Sequence, residues 1–143
     1  MKERFAKFIE APNPESIAII SSVSYGVAIV AKNIPFEKGD EIILLEEQFP
    51  SNFYTWKQLK KEKGVVLKTI SAPPLELGRG KKWNEQLLEA ITPKTKVVSI
   101  PNVHWTDGTL FNLMAICQRT NDVSAYLIID GTQKCGCVAV FCG

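Results

Sequence analysis

Four short polar segments hold most of the side chains in this sequence that could bind or activate a ligand. Ser21-Ser22-Val23-Ser24-Tyr25-Gly26 offers hydroxyls and, where a helical pattern begins, backbone N–H groups suited to a phosphate. Its plainer role is a serine cap on that helix. Glu46-Glu47-Gln48-Phe49-Pro50-Ser51-Asn52 puts the Phe49 ring at the mouth of an apolar run, with Ser51 placed to cap the next helix. His104-Trp105-Thr106-Asp107-Gly108-Thr109 contains the only histidine, a side-chain type that exchanges protons near neutral pH. His104 is thus either a proton carrier or a hydrogen-bonded neighbour of the Asp107-Gly108 turn. Asp130-Gly131-Thr132-Gln133 delivers a carboxylate and an amide after an Ile-rich run, either into a ligand site or simply into a turn.

The elements that would position these segments read as an alternation. Short runs rich in Ile, Val and Leu lie at 17–20, 41–45, 65–70, 96–100 and 125–129, as expected of strands covered on both faces. Helical spacing occupies 2–10, 24–33, 52–63, 83–91 and 110–119, with Gly64 as a stop signal after the third. A Pro- and Gly-rich loop covers 71–82, and a last strand is expected at 137–142. This rhythm predicts an α/β fold: a three-layer, mainly parallel sheet with helices on both faces. In such sheets ligands bind beyond the carboxyl ends of the strands, so the four polar segments should meet in one crevice.

The bulk properties narrow the alternatives. With 143 residues, 45% hydrophobic and 22% charged, the chain suits one domain with a real core. A net charge of +2 gives no reason to expect nucleic acid as a partner. The lysine-rich run at 57–63 reads as the solvated end of a helix. No apolar run is long enough to suggest a membrane span, and a cytoplasmic location is expected. Of the four cysteines, Cys117, Cys135, Cys137 and Cys142, three crowd the last nine residues with a spacing unlike structural zinc sites, so free thiols and no metal are expected. No Gly-x-Gly-x-x-Gly follows any strand, which counts against a dinucleotide-binding domain.

Taken in order, the motifs resemble the class V aminotransferase and cysteine desulfurase family, enzymes dependent on pyridoxal 5'-phosphate (PLP). Ile128-Ile129-Asp130-Gly131-Thr132-Gln133 is similar to the family's strand-ending Asp-Gly-Ala-Gln motif. The resemblance implies that Asp130 bonds the pyridine nitrogen and that Gln133 lies near the ring hydroxyl. Ser22-Val23-Ser24 aligns with the family's phosphate loop, which gives Ser24 and the Val23 N–H to the phosphate. Phe49 stands where desulfurases stack a histidine; a phenyl ring can stack but cannot move a proton. Gly108-Thr109 matches the family's Gly-Thr, placing Thr109 near the cofactor, while Trp105 replaces an asparagine and is either packed over cofactor or substrate or structural.

The resemblance also sets expectations for the chain as a whole. Residues 1–143 read as one partial PLP-binding large domain, cut before the Schiff-base lysine and without the family's small domain. Lys134 stands too close to Asp130 to be that lysine. The parent is expected to be a homodimeric transferase or lyase acting on a small amino-group-bearing substrate, with this chain alone inactive. The alternative is a non-catalytic α/β remnant or protein-interaction module.

Overall fold

The computed structural model describes residues 1–133, so the strand expected at 137–142 lies outside the described residues. Helices α1 (Lys2–Phe8), α2 (Val23–Asn33), α3 (Pro50–Lys63), α4 (Arg79–Ala90) and α5 (Leu113–Asp122) alternate with strands β1 (Glu41–Leu45), β2 (Val66–Ile70), β3 (Thr95–Pro101) and β4 (Tyr126–Asp130) after α2. The four strands form a parallel sheet in the order β2-β1-β3-β4. β1 therefore has β2 on one side and β3 on the other, and the winding reverses between β1 and β3. Such a reversal opens a crevice at the carboxyl edge, because the two chain exits run to opposite sides.

Side-chain alternation along each strand builds the two outer layers. Ile42, Leu44, Val97 and Ile128 face α2 and α3, packing with Val27, Ala31, Trp56 and Leu59. Ile43, Leu45, Val98, Ile100, Leu127 and Ile129 face α4 and α5, packing with Trp83, Leu87 and Ile116. The three-layer architecture expected from the sequence is the one observed.

Element ends follow local chemistry. Gly64 caps α3 with φ 72°, a left-handed conformation that glycine adopts without strain. Pro50 opens α3 at a position where its missing N–H costs nothing. The helix therefore begins two residues before the expected start, and Ser51 lies inside its first turn instead of capping it. Helix α4 begins at Arg79, inside the expected 71–82 loop, because Gly78 turns the chain at φ 83°. Helix α5 waits until Leu113, since the Asn112 side chain caps it by accepting from the Ala115 N–H at 3.2 Å.

Two expectations fail. Residues 17–20 are extended but pair with no strand among the described residues, and Ile19 and Ile20 are exposed. The outer sides of β2 and β4 take no partner among the described residues, so it is not lack of room that leaves the run unpaired; a four-residue apolar run is too short to fix its own partner. Cys117, half-buried on α5, is disulfide-bonded, which corrects the expectation of a free thiol there.

Candidate functional site

A cavity of about 250 Å³ opens at the carboxyl edge of the sheet, where the winding reverses. Its walls come from the β1–α3 turn (Gln48, Phe49, Ser51, Asn52), the exit of β3 (Pro101, Val103, Trp105), the exit of β4 (Asp130, Thr132, Gln133) and the start of α2 (Val23, Ser24). Six of the seven residues expected at a ligand site thus line one cavity: Val23, Ser24, Phe49, Trp105, Asp130 and Gln133.

The first wall is the start of α2. Ser22 caps the helix, its Oγ accepting from the Tyr25 N–H at 3.2 Å, while its carbonyl takes the Gly26 N–H. The capping role and the ligand role are therefore compatible. Val23 and Ser24 keep backbone N–H groups without partners among the described residues, at the positive end of an 11-residue helix.

Asp130 leaves β4 opposite Pro101 of β3. Its Oδ1 accepts from the Thr132 N–H at 3.1 Å and the Thr132 hydroxyl at 2.5 Å, which fixes the carboxylate. Among the described residues Oδ2 has no hydrogen-bond donor, so it remains available to an N–H in the cavity.

Aromatic contacts shape the mouth. Phe49 and Trp105 meet edge to face, centroids 5.5 Å apart at 85°. The Trp105 indole N–H donates to the Glu47 carbonyl at 2.6 Å, and Glu47 itself takes an uncommon left-handed φ of 52°. Trp105 therefore both lines the cavity and ties the β3 exit to the β1–α3 turn.

Residues 103–110 form a small hairpin, with Val103 bridged to Leu110 and the His104 N–H bonded to the Thr109 carbonyl at 2.8 Å. His104 is only 1% exposed and does not line the cavity. Its Nε2 lies 3.0 Å from the Glu46 carbonyl and its Nδ1 2.9 Å from Thr106 Oγ1. A carbonyl can only accept, so Nε2 donates to it, while Nδ1 shares a hydrogen bond with the threonine hydroxyl. With both nitrogens engaged and Trp83 4.8 Å from its centroid, His104 is a buried strut, not a proton carrier for the cavity.

Thr109 is the expected residue that stays outside the cavity walls. It closes the hairpin, its N–H donating to Asp107 Oδ1 at 3.0 Å. Burial pushes the Asp107 carboxyl up, but the Thr109 hydrogen bonds and the Arg79 and His104 charges outweigh it and hold the group below the ordinary carboxylate range. Arg79 Nε is 2.9 Å from Asp107 Oδ2, yet its N–H points off line, so the contact is an ion pair without a well-formed hydrogen bond.

Pro101 and Val103 line the cavity without having been expected there; their place at the exit of β3 is the available signal. Asn52 is the larger surprise. It is fully buried, and its Oδ1 accepts from Trp56 Nε1 at 2.8 Å and Ser99 Oγ at 2.7 Å. Among the described residues no three His, Cys, Asp or Glu side chains cluster as a metal site requires, and no helix is long and apolar enough to cross a membrane.

Comparison with known proteins agrees with this architecture. The chain is 25% identical over 94% of its length to an uncharacterised aminotransferase of Schizosaccharomyces pombe. It is 24% identical to the isopenicillin N epimerase of Amycolatopsis lactamdurans and 28% identical to a probable cysteine desulfurase of Methanothermobacter thermautotrophicus, each over 94% of the chain. It spans about a third of these relatives: 33%, 34% and 32% of their lengths. Among solved structures, an Escherichia coli cysteine desulfurase superposes with a TM-score of 0.82 at 19% identity, covering 94% of this chain and 33% of that one. A cystine C–S lyase gives 0.81 at 23%, covering 97% of this chain and 37% of that one. These two likenesses establish the fold. The family model for class V aminotransferases matches residues 1–140, nearly the whole sequence, and the chain belongs to that family.

Proposed function

We propose that this chain forms the cofactor-binding part of a PLP-dependent enzyme that acts on a small amino-group-bearing substrate. One observation carries the reading: a carboxylate with an open oxygen, an open helix start and an aromatic pair line one cavity at the point where the sheet reverses its winding. These groups fit the cofactor. The Val23 and Ser24 N–H groups and the Ser24 hydroxyl suit a phosphate dianion at the positive end of α2. Asp130 Oδ2 would hold a proton on the pyridine nitrogen, with Thr132 keeping the carboxylate in place. Phe49 supplies a face for stacking, and Trp105 holds that ring across the mouth, limiting water. Gln133 is assigned to the ring hydroxyl. When bound, PLP supplies an electron sink for negative charge developing beside the substrate nitrogen.

Among the described residues none that lines the cavity is a lysine, and we infer that the chain alone holds the cofactor without a covalent link and is inactive. The parent enzyme is inferred to be a homodimer.

The test uses pyridoxine 5'-phosphate, which has no aldehyde and so cannot react with surface lysines. Its fluorescence is expected to change saturably with the protein, and Asp130→Asn should weaken binding about tenfold or more, through loss of a charge-assisted bond. No response at saturating protein, or an equal response with Asp130→Asn, overturns the reading in favour of a non-catalytic module.

A further inference from the structure

We infer that Arg79, at the start of α4, is a positioning residue for the cavity: through Asp107 it holds the 103–110 hairpin so that Trp105 closes the mouth against Phe49. The consequence for ligand binding rests on the preceding reading, whereas the effect on the mouth does not. Arg79 is not one of the residues that line the cavity. Its Nε lies 2.9 Å from Asp107 Oδ2, and each of the two side chains is only 15% exposed. An ion pair so largely shielded from water is screened far less than one on an open surface. Among the described residues it is the only ion pair that ties the hairpin to another element.

The hairpin is a bridge held on both sides. On the α4 side, Gly80 is packed so closely that an added Cβ would lie 3.3 Å from Thr109 Cγ2. One turn further along the same helix, Asn84 Oδ1 accepts from the Asn112 N–H at 2.9 Å, just beyond the hairpin. On the mouth side, His104 Nε2 donates to the Glu46 carbonyl at 3.0 Å and the Trp105 indole donates to the Glu47 carbonyl at 2.6 Å. Residues 105–108, between these two sides, are exposed and gain little from burial. Asp107 is the residue of this tip whose side chain reaches back to α4, and it stands two positions from Trp105.

The guanidinium suits this task chemically. Its Cζ sits 5.4 Å from the centroid of Trp83, a fully buried ring that itself lies 4.8 Å from the His104 ring. Arg79 therefore bears on the hairpin at two points, on Asp107 by charge and on His104 through Trp83. A lysine ammonium is a point charge and lacks the flat face that covers the indole while the side chain reaches the carboxylate. A hairpin released from α4 would carry the Trp105 ring away from Phe49, now 5.5 Å off at 85°, and loosen the bond to Glu47. A ligand entering such a mouth would have to immobilise Trp105 itself, and ordering one large side chain weakens binding roughly two- to tenfold.

The experiment follows the three tryptophan indole N–H signals of the ¹⁵N-labelled full chain by NMR, with no ligand present. Trp105→Phe identifies the Trp105 signal by its loss. Trp56, whose indole is bonded to Asn52 in the other layer, reports on the fold as a whole. Arg79→Gln is expected to speed solvent exchange of the Trp105 indole about tenfold while leaving Trp56 unchanged. With Asp107→Asn already in place, Arg79→Gln should add little, because the two residues act as one unit. If Arg79→Gln does not fold, Arg79→Lys decides by the same comparison. Trp105 exchange that stays constant, that rises by the same factor as Trp56, or that responds undiminished after Asp107→Asn overturns the inference. Pyridoxine 5'-phosphate is then titrated, and Arg79→Gln should weaken its binding roughly two- to tenfold. Undiminished binding beside a loosened Trp105 overturns the role in ligand binding. Wild-type protein that shows the indole effect but binds no pyridoxine 5'-phosphate overturns the cofactor reading and supports the control of the mouth by Arg79.

Discussion

Asp107 links the 103–110 hairpin to pH. Its carboxyl is held below the ordinary range in the folded chain, so the folded state binds fewer protons than the unfolded one as pH falls. The stabilisation is complete above the unfolded-state value, near pH 4, and is lost as the pH drops through the lower folded-state value. Asp107→Asn should therefore lower the urea midpoint at pH 7 and narrow its difference from wild type at pH 3; an undiminished difference at pH 3 would show that the carboxylate's charge is not what stabilises the hairpin. The same residue scale shows what the sequence can disclose. Asp130, Ser24 and Phe49 are legible because each sits in a local motif at the end of an apolar run or the start of a helical one. Asn52 reads only as part of a helix start because its decisive partner, Ser99, lies on β3, 47 positions away. His104 misleads for the same reason: imidazole chemistry is visible in a sequence, whereas its two occupied nitrogens and 1% exposure are not.

At the scale of elements, boundaries depend on whether the punctuating residue acts locally. Gly64 does: its φ of 72° ends α3, and an added Cβ would come within 3.2 Å of Lys38 Cγ. Gly64→Ala is expected to destabilise the protein by about 1 kcal/mol, since an L-residue resists that conformation while the lysine side chain can yield. A shift in urea midpoint with an unchanged slope would register this, and an unchanged midpoint would count against the cap. Strands β1, β3 and β4 are legible to within a residue or so because buried parallel strands are nearly continuous apolar runs, and β2 is found to the same accuracy although it is a partly exposed edge strand. The run at 17–20 has the same composition but joins no strand among the described residues. Composition cannot reveal which apolar runs will find a partner. Likewise the Pro50 start of α3 is hidden because Ser51 is the better cap by type, while the chain turns at Phe49.

For the whole molecule, the decisive feature is that one sheet carries two separate apolar layers. Neighbouring residues of β1 point to opposite sides, Ile42 and Leu44 to one cluster, Ile43 and Leu45 to the other. Neither layer can be lost alone without stripping one face of the strands the other layer needs. Each layer also holds its own fully buried tryptophan, Trp56 on the α2–α3 side and Trp83 on the α4–α5 side. Single-tryptophan variants retaining either one, with Trp105 replaced by Phe in both, should therefore unfold in urea with transitions that coincide with that variant's far-ultraviolet circular dichroism. Leu87→Ala, which deletes side-chain volume only from the α4–α5 side, is expected to cost about 2–5 kcal/mol and to move the Trp56 transition as far as the Trp83 transition. If Leu87→Ala moved the Trp83 signal alone, the two faces would be separate folding units. The cavity would then be at risk first, because its walls draw on both layers: Asn52 is bonded to Trp56 on one side, while the hairpin that carries Trp105 rests on Trp83 through His104.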